Sequence, residues 1–328
     1  VISLRYLSRA DALRAGGGDW APALDDVREA TRLLRSGEAV MVPESVLPLG
    51  GDPRANAYGL PARLGGRFDA AGLKWAVHRA EPDGEVPSIT NVTLVNRLSD
   101  GRPLGFVESA HLTRMRTAAV SALAMRSLAT SPIRQVAVLG AGAQARAHIE
   151  MVRELFPGVE TIPVWNRTEA RRDALTADFA GKAGPPLRPA ATPEDAVRDA
   201  EVVLCCTIAP EPIVGAGALR PGRLVVQVGY HEIDFALIEA ADHVVVDLWG
   251  DFAERSAKSL FQMYRAGRFA PQDVSADLPA LVVDGWRPAP GASVVFSSFG
   301  LNIFDIALAS RLLRDAERDE IGTLLPLF

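Results

Sequence analysis

Apolar residues recur along this chain in two rhythms, and the change of rhythm divides it. Within residues 25–35 they fall at Val27, Ala30, Leu33 and Leu34, with Gly37 just beyond. That spacing puts one apolar stripe on an α-helix and stops it at a glycine. Residues 40–110 instead alternate short apolar runs, at 40–42, 72–77, 92–95 and 104–107, with Gly and Pro. Asp100-Gly101 lies between the last two runs and reads as a hairpin turn, so a mostly antiparallel sheet is predicted here. A long helix rich in Ala and Met follows, over 111–128.

Ser131-Pro132 marks a boundary, after which strand and helix patterns alternate. Strands are predicted at 136–139, 161–165, 201–207, 224–228 and 243–246, with a helix near 170–179. Thr192-Pro193-Glu194-Asp195 reads as a helix start: Thr as cap, Pro in the first position, acids in the first turn. Such alternation implies α/β architecture, a doubly wound parallel (Rossmann) sheet over 131–299. Residues 302–314 form an amphipathic pattern expected to return to the first domain, which is therefore 1–130 plus 300–328.

The most informative stretch is Val136-Ala137-Val138-Leu139-Gly140-Ala141-Gly142-Ala143-Gln144-Ala145, strand into Gly-x-Gly-x-x-Ala into helix. Gly140 permits the sharp turn, Gly142 lets a pyrophosphate approach the backbone, and Ala145 lets the helix pack on the strand. The helix N-terminus offers free N–H groups to phosphate, which makes Ala143 and Gln144 candidate contacts. The second strand ends in Asn166-Arg167-Thr168, where an NAD site usually has Asp or Glu for the ribose hydroxyl. A cation with neutral hydrogen-bonding neighbours suits a 2′-phosphate better, so NADPH/NADP+ is expected ahead of NAD(H). Thr117, Thr207 and Val228 complete the candidate cofactor contacts.

Composition narrows the function classes. The 328 residues are 48% hydrophobic with a net charge of −5 and no basic block, which argues against a nucleic-acid partner. No apolar run reaches the roughly 18 residues of a membrane span, and the N-terminus lacks a signal-peptide layout; a cytoplasmic protein is expected. The five histidines show no metal-ligand spacing, and no metal is expected. Cys205 and Cys206 are adjacent in a predicted strand and read as buried packing, not as a disulfide or a reactive thiol.

The chain resembles the ornithine cyclodeaminase/μ-crystallin family over nearly its whole length. The resemblance rests on Gly72-Leu73-Lys74, Met115-Arg116-Thr117-Ala118-Ala119, the glycine-rich turn, and Val244-Val245-Val246-Asp247. The turn Trp165-Asn166-Arg167-Thr168 is similar to that of μ-crystallin. Lys74-Trp75, Val246-Asp247-Leu248-Trp249 and the end Ile321-Gly322-Thr323-Leu324-Leu325-Pro326-Leu327-Phe328 look closer to siderophore-pathway dehydrogenases that form diaminopropionate from an opine-like conjugate. The resemblance implies a homodimer built through a substrate-binding and dimerisation domain. It also implies hydride transfer at the α-carbon of an amino or imino acid.

By that resemblance Lys74 and Arg116 meet substrate carboxylate or cofactor phosphate, Thr90 and Asn91 hydrogen-bond substrate, and Glu108 and Asp305 are recurring acids that can equally be structural. Lys74 is also a candidate catalytic group. The acid–base carboxylate falls in Val228-Gly229-Tyr230-His231-Glu232-Ile233-Asp234, a loop shorter than in cyclodeaminases. There Glu232 is the first candidate and His231 the second, an imidazole being the usual proton carrier near neutral pH, while Asp234 can be a helix cap. Cyclodeaminases carry an Arg after a Pro near the substrate carboxylate; Pro43 is followed here by Glu44, which would repel a carboxylate and attract an amine or guanidine. The expected activity is therefore NAD(P)H-dependent oxidoreduction of an amino or imino acid, either ketimine reduction or opine-type oxidation. The alternatives are a deaminating, cyclising lyase and a non-catalytic NADPH-binding protein.

Overall fold

The computed structural model describes residues 2–52, 55–79 and 86–328. In chain order its elements are β1 (Ser3–Leu7), α1 (Arg9–Ala12), α2 (Trp20–Ser36), β2 (Ala39–Met41), β3 (Ser45–Pro48), β4 (Asn56–Leu64), β5 (Ala70–His78), β6 (Ile89–Arg97), β7 (Pro103–Glu108) and α3 (Ala110–Leu128). Then come β8 (Val136–Leu139), α4 (Ala143–Leu155), β9 (Ile162–Trp165), α5 (Glu169–Phe179), β10 (Leu187–Pro189), α6 (Pro193–Val197), β11 (Val202–Cys205), β12 (Leu224–Gln227), α7 (Phe235–Ala240), β13 (His243–Val246), α8 (Ser259–Arg265), β14 (Ala276–Asp277) and β15 (Val294–Ser297). The chain ends with α9 (Asn302–Arg318) and β16 (Thr323–Pro326). It divides into two compact units, residues 1–116 with 300–328 and residues 117–299. The division falls within α3, earlier than the expected 130/131.

The first unit is a sheet in the order β16-β1-β7-β6-β5-β4-β2, with β3 also on β4. Among the described residues only β1 and β7 pair in parallel; the other pairs are antiparallel, as the hairpin pattern predicts. The β6–β7 hairpin turns at Gly101, whose φ of 75° needs a glycine. Side chains alternate across the sheet, so one face is packed and the other open. On the packed face lies α9, and a Cβ on Gly72 would stand 2.8 Å from Ile306 Cδ1. Helix α9 also packs on α2, which explains why Ile303, Phe304, Ile306, Ala307 and Leu308 are all buried where an amphipathic helix was expected. The open face carries Leu73 opposite Leu94, Trp75 opposite Val92, and Leu47, each between 37% and 53% exposed.

The second unit is an eight-stranded sheet in the order β10-β9-β8-β11-β12-β15-β13-β14, parallel throughout. All four residues of β8, β11, β12 and β15 are buried, the continuous apolar run of a strand covered on both faces. The chain leaves β8 first for β9 and then for β11, on opposite sides, which puts the topological switch at the C-terminal end of β8. The sequence reading missed strands β10, β14 and β15 and helices α7 and α8. The late strand β15 inserts between β12 and β13, and β10 extends the sheet beyond β9. Helix α6 starts as predicted, with Thr192 Oγ1 accepting from the Asp195 amide at 3.1 Å.

Candidate active site

The Gly-x-Gly-x-x-Ala turn is built in the second unit at that switch. Gly140 has φ 122°, and a Cβ there would lie 2.4 Å from the carbonyl oxygen of Cys206. A side chain is excluded both by conformation and by the neighbouring strand end. Gly142 caps the N-terminus of α4, and a Cβ there would meet nothing within 4 Å. The space over this turn is therefore open, while Ala145 behind it is wholly buried against the sheet. The first helical hydrogen bond of α4 runs from the Arg146 amide to the Gly142 carbonyl, leaving the Ala143 and Gln144 amides at the exposed helix end. Gln144 Oε1 is buried with no hydrogen-bond partner. These features fit a pyrophosphate held by backbone amides.

At the end of β9, Asn166 Nδ2 donates to the Thr168 carbonyl at 2.8 Å, which shapes the turn. Arg167 is exposed and has no hydrogen-bond or ion-pair partner among the described residues, so its guanidinium remains free for an anion. Thr168 is the N-cap of α5 without a side-chain capping bond. Thr207 follows β11 and its amide donates to Glu232. The Val228 amide donates to Cys205, and its carbonyl accepts from Lys258 at 2.9 Å. Thr117 is buried on α3, its carbonyl 3.3 Å from the Ser121 hydroxyl oxygen one turn on.

Glu232 is wholly buried between the ends of β11 and β12. Its Oε1 accepts from the Thr207 amide, and Oε2 has no partner. Gly229 makes room for it: a Cβ there would stand 2.6 Å from Glu232 Oε1 and 2.1 Å from the Thr207 carbonyl. Burial pushes the carboxyl up from 4.5 to about 7, against the opposing pull of the Thr207 amide and the Lys258 charge. His231 holds its Nδ1 3.1 Å from Ser259 Oγ. Asp234 caps α7 through the Leu237 amide at 2.7 Å, the structural role the sequence allowed. Burial raises both Cys205 and Cys206 well above the ordinary thiol range, which keeps them protonated and unreactive.

The first unit holds a buried ionic cluster. Lys74 Nζ donates to Asp305 Oδ1 at 2.9 Å, and Arg116 Nε lies 3.4 Å from Asp305 Oδ2. Gly300, at φ 98°, gives the guanidinium its space: a Cβ there would lie 2.3 Å from Arg116 Nη1. The two cations are thus not both free, because one carboxylate neutralises part of their charge. Burial pushes Asp305 up, but Arg116 and Lys74 outweigh it and hold the carboxyl below its usual range. Burial lowers Lys74, with Asp305 opposing. Glu44 is half-buried; burial raises its carboxyl, and the charge of Lys74 opposes this.

Strand alternation separates two residues that the sequence put together. Asn91 pairs with Ala76 and shares the packed face with Lys74, whereas Thr90 pairs with Val77 on the open face. Asn91 is buried; its Nδ2 donates to Thr113 at 3.1 Å and its Oδ1 has no partner. Glu108 accepts from the Ala110 amide at 2.9 Å at the start of α3. Tyr58 and His78 lie on the same face as Lys74, their rings 4.9 Å apart, and were not singled out from sequence. Neither was Lys258, the residue that precedes α8.

Comparison with known proteins places these features in a family. The model of the "Ornithine cyclodeaminase/mu-crystallin family" matches residues 20–320. The chain is 25% identical to N-((2S)-2-amino-2-carboxyethyl)-L-glutamate dehydrogenase of Staphylococcus aureus, over 98% of each chain. It is 30% identical to the ketimine reductase mu-crystallin of Macropus fuliginosus, over 72% of each. An archaeal alanine dehydrogenase, solved as a dimer with bound NAD, superposes with a TM-score of 0.89 over 100% of both chains at 21% identity, a likeness of fold. The named relatives are dehydrogenases and reductases, in keeping with the expected oxidoreductase more than with the lyase. The chain belongs to the ornithine cyclodeaminase/mu-crystallin family.

Proposed function

We propose that this protein is an NADP(H)-dependent oxidoreductase that reduces the C=N bond of an imino acid, or oxidises the corresponding secondary amine in reverse. The observation that carries the reading is Glu232: a buried carboxyl that exchanges its proton near pH 7, in the unit that bears the Gly-x-Gly-x-x-Ala turn. A general acid works best when its pKa lies near the operating pH. When bound, the reduced nicotinamide supplies the hydride. Gly142 and the amides of Ala143 and Gln144 hold the pyrophosphate, and Arg167 with Asn166 and Thr168 receives the 2′-phosphate. Lys74 and Arg116 hold the substrate carboxylate, with Asp305 fixing both side chains. Glu232 gives its proton to the substrate nitrogen in reduction and takes it back in oxidation. Asn91 Oδ1 and Glu44 offer acceptors to a nitrogen-bearing substrate.

The open face of the first unit's sheet supports a homodimer, since contiguous exposed apolar surface marks an interaction site. The free cysteines fit a reducing compartment, and we place the enzyme in the cytoplasm.

The test is NADPH consumption with the purified protein, cyclic ketimines, and pairs of 2-oxo acids with amino acids, each repeated with NADH. Consumption that yields a reduced secondary amine, faster with NADPH, is the expected result. Glu232→Gln should bind NADPH but lose turnover by about 10²–10⁴-fold. Ammonia released from a diamino acid without net consumption would replace this reading with the cyclodeaminase. NADPH binding with no turnover of any kind would replace it with the non-catalytic NADPH-binding protein.

A further inference from the structure

Lys258 is an ammonium where the fold offers little reason for one. It is 2% exposed and precedes α8, far in sequence from the loop it touches. Its Nζ donates to the carbonyls of Val228, at 2.9 Å, and Gly229, and stands 3.5 Å from that of Gln227. These are three consecutive carbonyls at the end of β12, and the chain reaches Glu232 three residues later. The face of Tyr230 lies 5.8 Å from the same ammonium. The next residue, Ser259, continues the attachment: its amide donates to the Tyr230 carbonyl at 2.9 Å, and its hydroxyl meets Gln227 Nε2 at 3.1 Å and His231 Nδ1 at 3.1 Å.

We infer that Lys258 is a positioning residue for the acid–base carboxyl, fastening the segment between β12 and Glu232 and keeping a fixed positive charge beside it. The inference rests on Glu232 being that acid–base group. A buried ammonium is costly unless compensated, and carbonyl dipoles with a nearby carboxylate compensate it. A neutral residue of similar size could fasten the loop at lower cost, so the charge itself has a role. The other titratable groups around Glu232 are the thiols of Cys205 and Cys206, both kept neutral by burial, and the His231 ring held by Ser259. Lys258 is therefore the fixed cation facing the carboxyl. A cation favours the ionised carboxylate. Without it, Glu232 would hold its proton to higher pH, and the step that takes a proton back from the substrate nitrogen would fail at neutrality.

The test is an NMR titration of the Glu232 carboxyl in the whole chain, labelled with carboxyl-enriched glutamate, the resonance identified by its loss in Glu232→Gln. The wild type should titrate near 7. Lys258→Gln keeps a donor for the carbonyls but removes the charge, and should raise the midpoint by about one to three units. Lys258→Arg should leave it near the wild-type value, whatever either change does to thermal stability. An unmoved midpoint in Lys258→Gln overturns the inference, as does an equal rise in Lys258→Arg. The titration needs no substrate, so a failure of imine turnover counts against the proposed reaction alone.

Discussion

His148 shows how a single side chain ties helix α4 to α3. It is wholly buried on α4, with Nδ1 2.8 Å from the Gln144 carbonyl and Nε2 2.9 Å from Ser121 Oγ on α3. A carbonyl only accepts, so Nδ1 carries the proton and the serine hydroxyl donates to Nε2. Burial lowers the ring to about 4 from 6.5. The unfolded chain thus binds this proton more tightly than the folded one. Stability is fully present above pH 6.5 and is lost as pH falls toward about 4, by on the order of 3 kcal/mol. Melting at pH 7 and pH 5 should show a smaller acid loss in His148→Gln than in the wild type. Equal losses would assign the acid sensitivity elsewhere. Glu232 has the opposite sign: its raised value means that the folded state loses stability as pH rises from 4.5 through about 7. The identities of both residues were legible in the sequence; their proton affinities were not, because desolvation depends on everything packed around them.

The strand–turn–helix unit β8–α4 was read correctly from ten residues because its pattern is local: turn geometry, a small residue, a helix start. Its two glycines nevertheless do different work, and that separates in a test. Gly140→Ala places a Cβ 2.4 Å from the Cys206 carbonyl at a φ of 122°, and should destabilise the fold by about 1–3 kcal/mol. Gly142→Ala projects a methyl into open space; its melting temperature should match the wild type while NADPH binding weakens by roughly tenfold or more. If Gly142→Ala bound NADPH normally, the pyrophosphate would not lie over this turn. Other elements were harder to read. Strands β10 and β14 have three and two residues, too few to show a period. Helix α9 reads as amphipathic in isolation but is covered on two sides, by the sheet and by α2.

On the scale of the whole molecule, the uncovered apolar face of the first sheet is the main feature to explain. Trp75, Val92, Leu73 and Leu94 form paired rows across β5 and β6, and Tyr6 lies beside Phe106 on the same face, the ring centroids 4.8 Å apart and the planes tilted by 32°. A second copy of this chain would bury such a surface, and Trp75→Glu would place a charge in its centre at a desolvation cost that no partner repays. Sedimentation should give twice 35.0 kDa for the wild type and the single-chain mass for Trp75→Glu. A monomeric wild type would remove the dimer from the proposed function.

What depends on neighbours within a few positions was legible in the chain alone: the glycine-rich turn, the cap at Thr192, the hairpin at Gly101, and the alternation of strand and helix. Steric limits and periodicity act over that range, so the pattern carries them. What depends on distant partners emerged only on folding. Lys74 and Asp305 are 231 positions apart, yet their contact turns two expected free cations into a partly neutralised cluster. The slot of β15 between β12 and β13, the face on which Asn91 points, and the burial that sets Glu232 near pH 7 all arise from packing. Charge and proton affinity are sums over surroundings, and a linear sequence does not state which residues those surroundings contain.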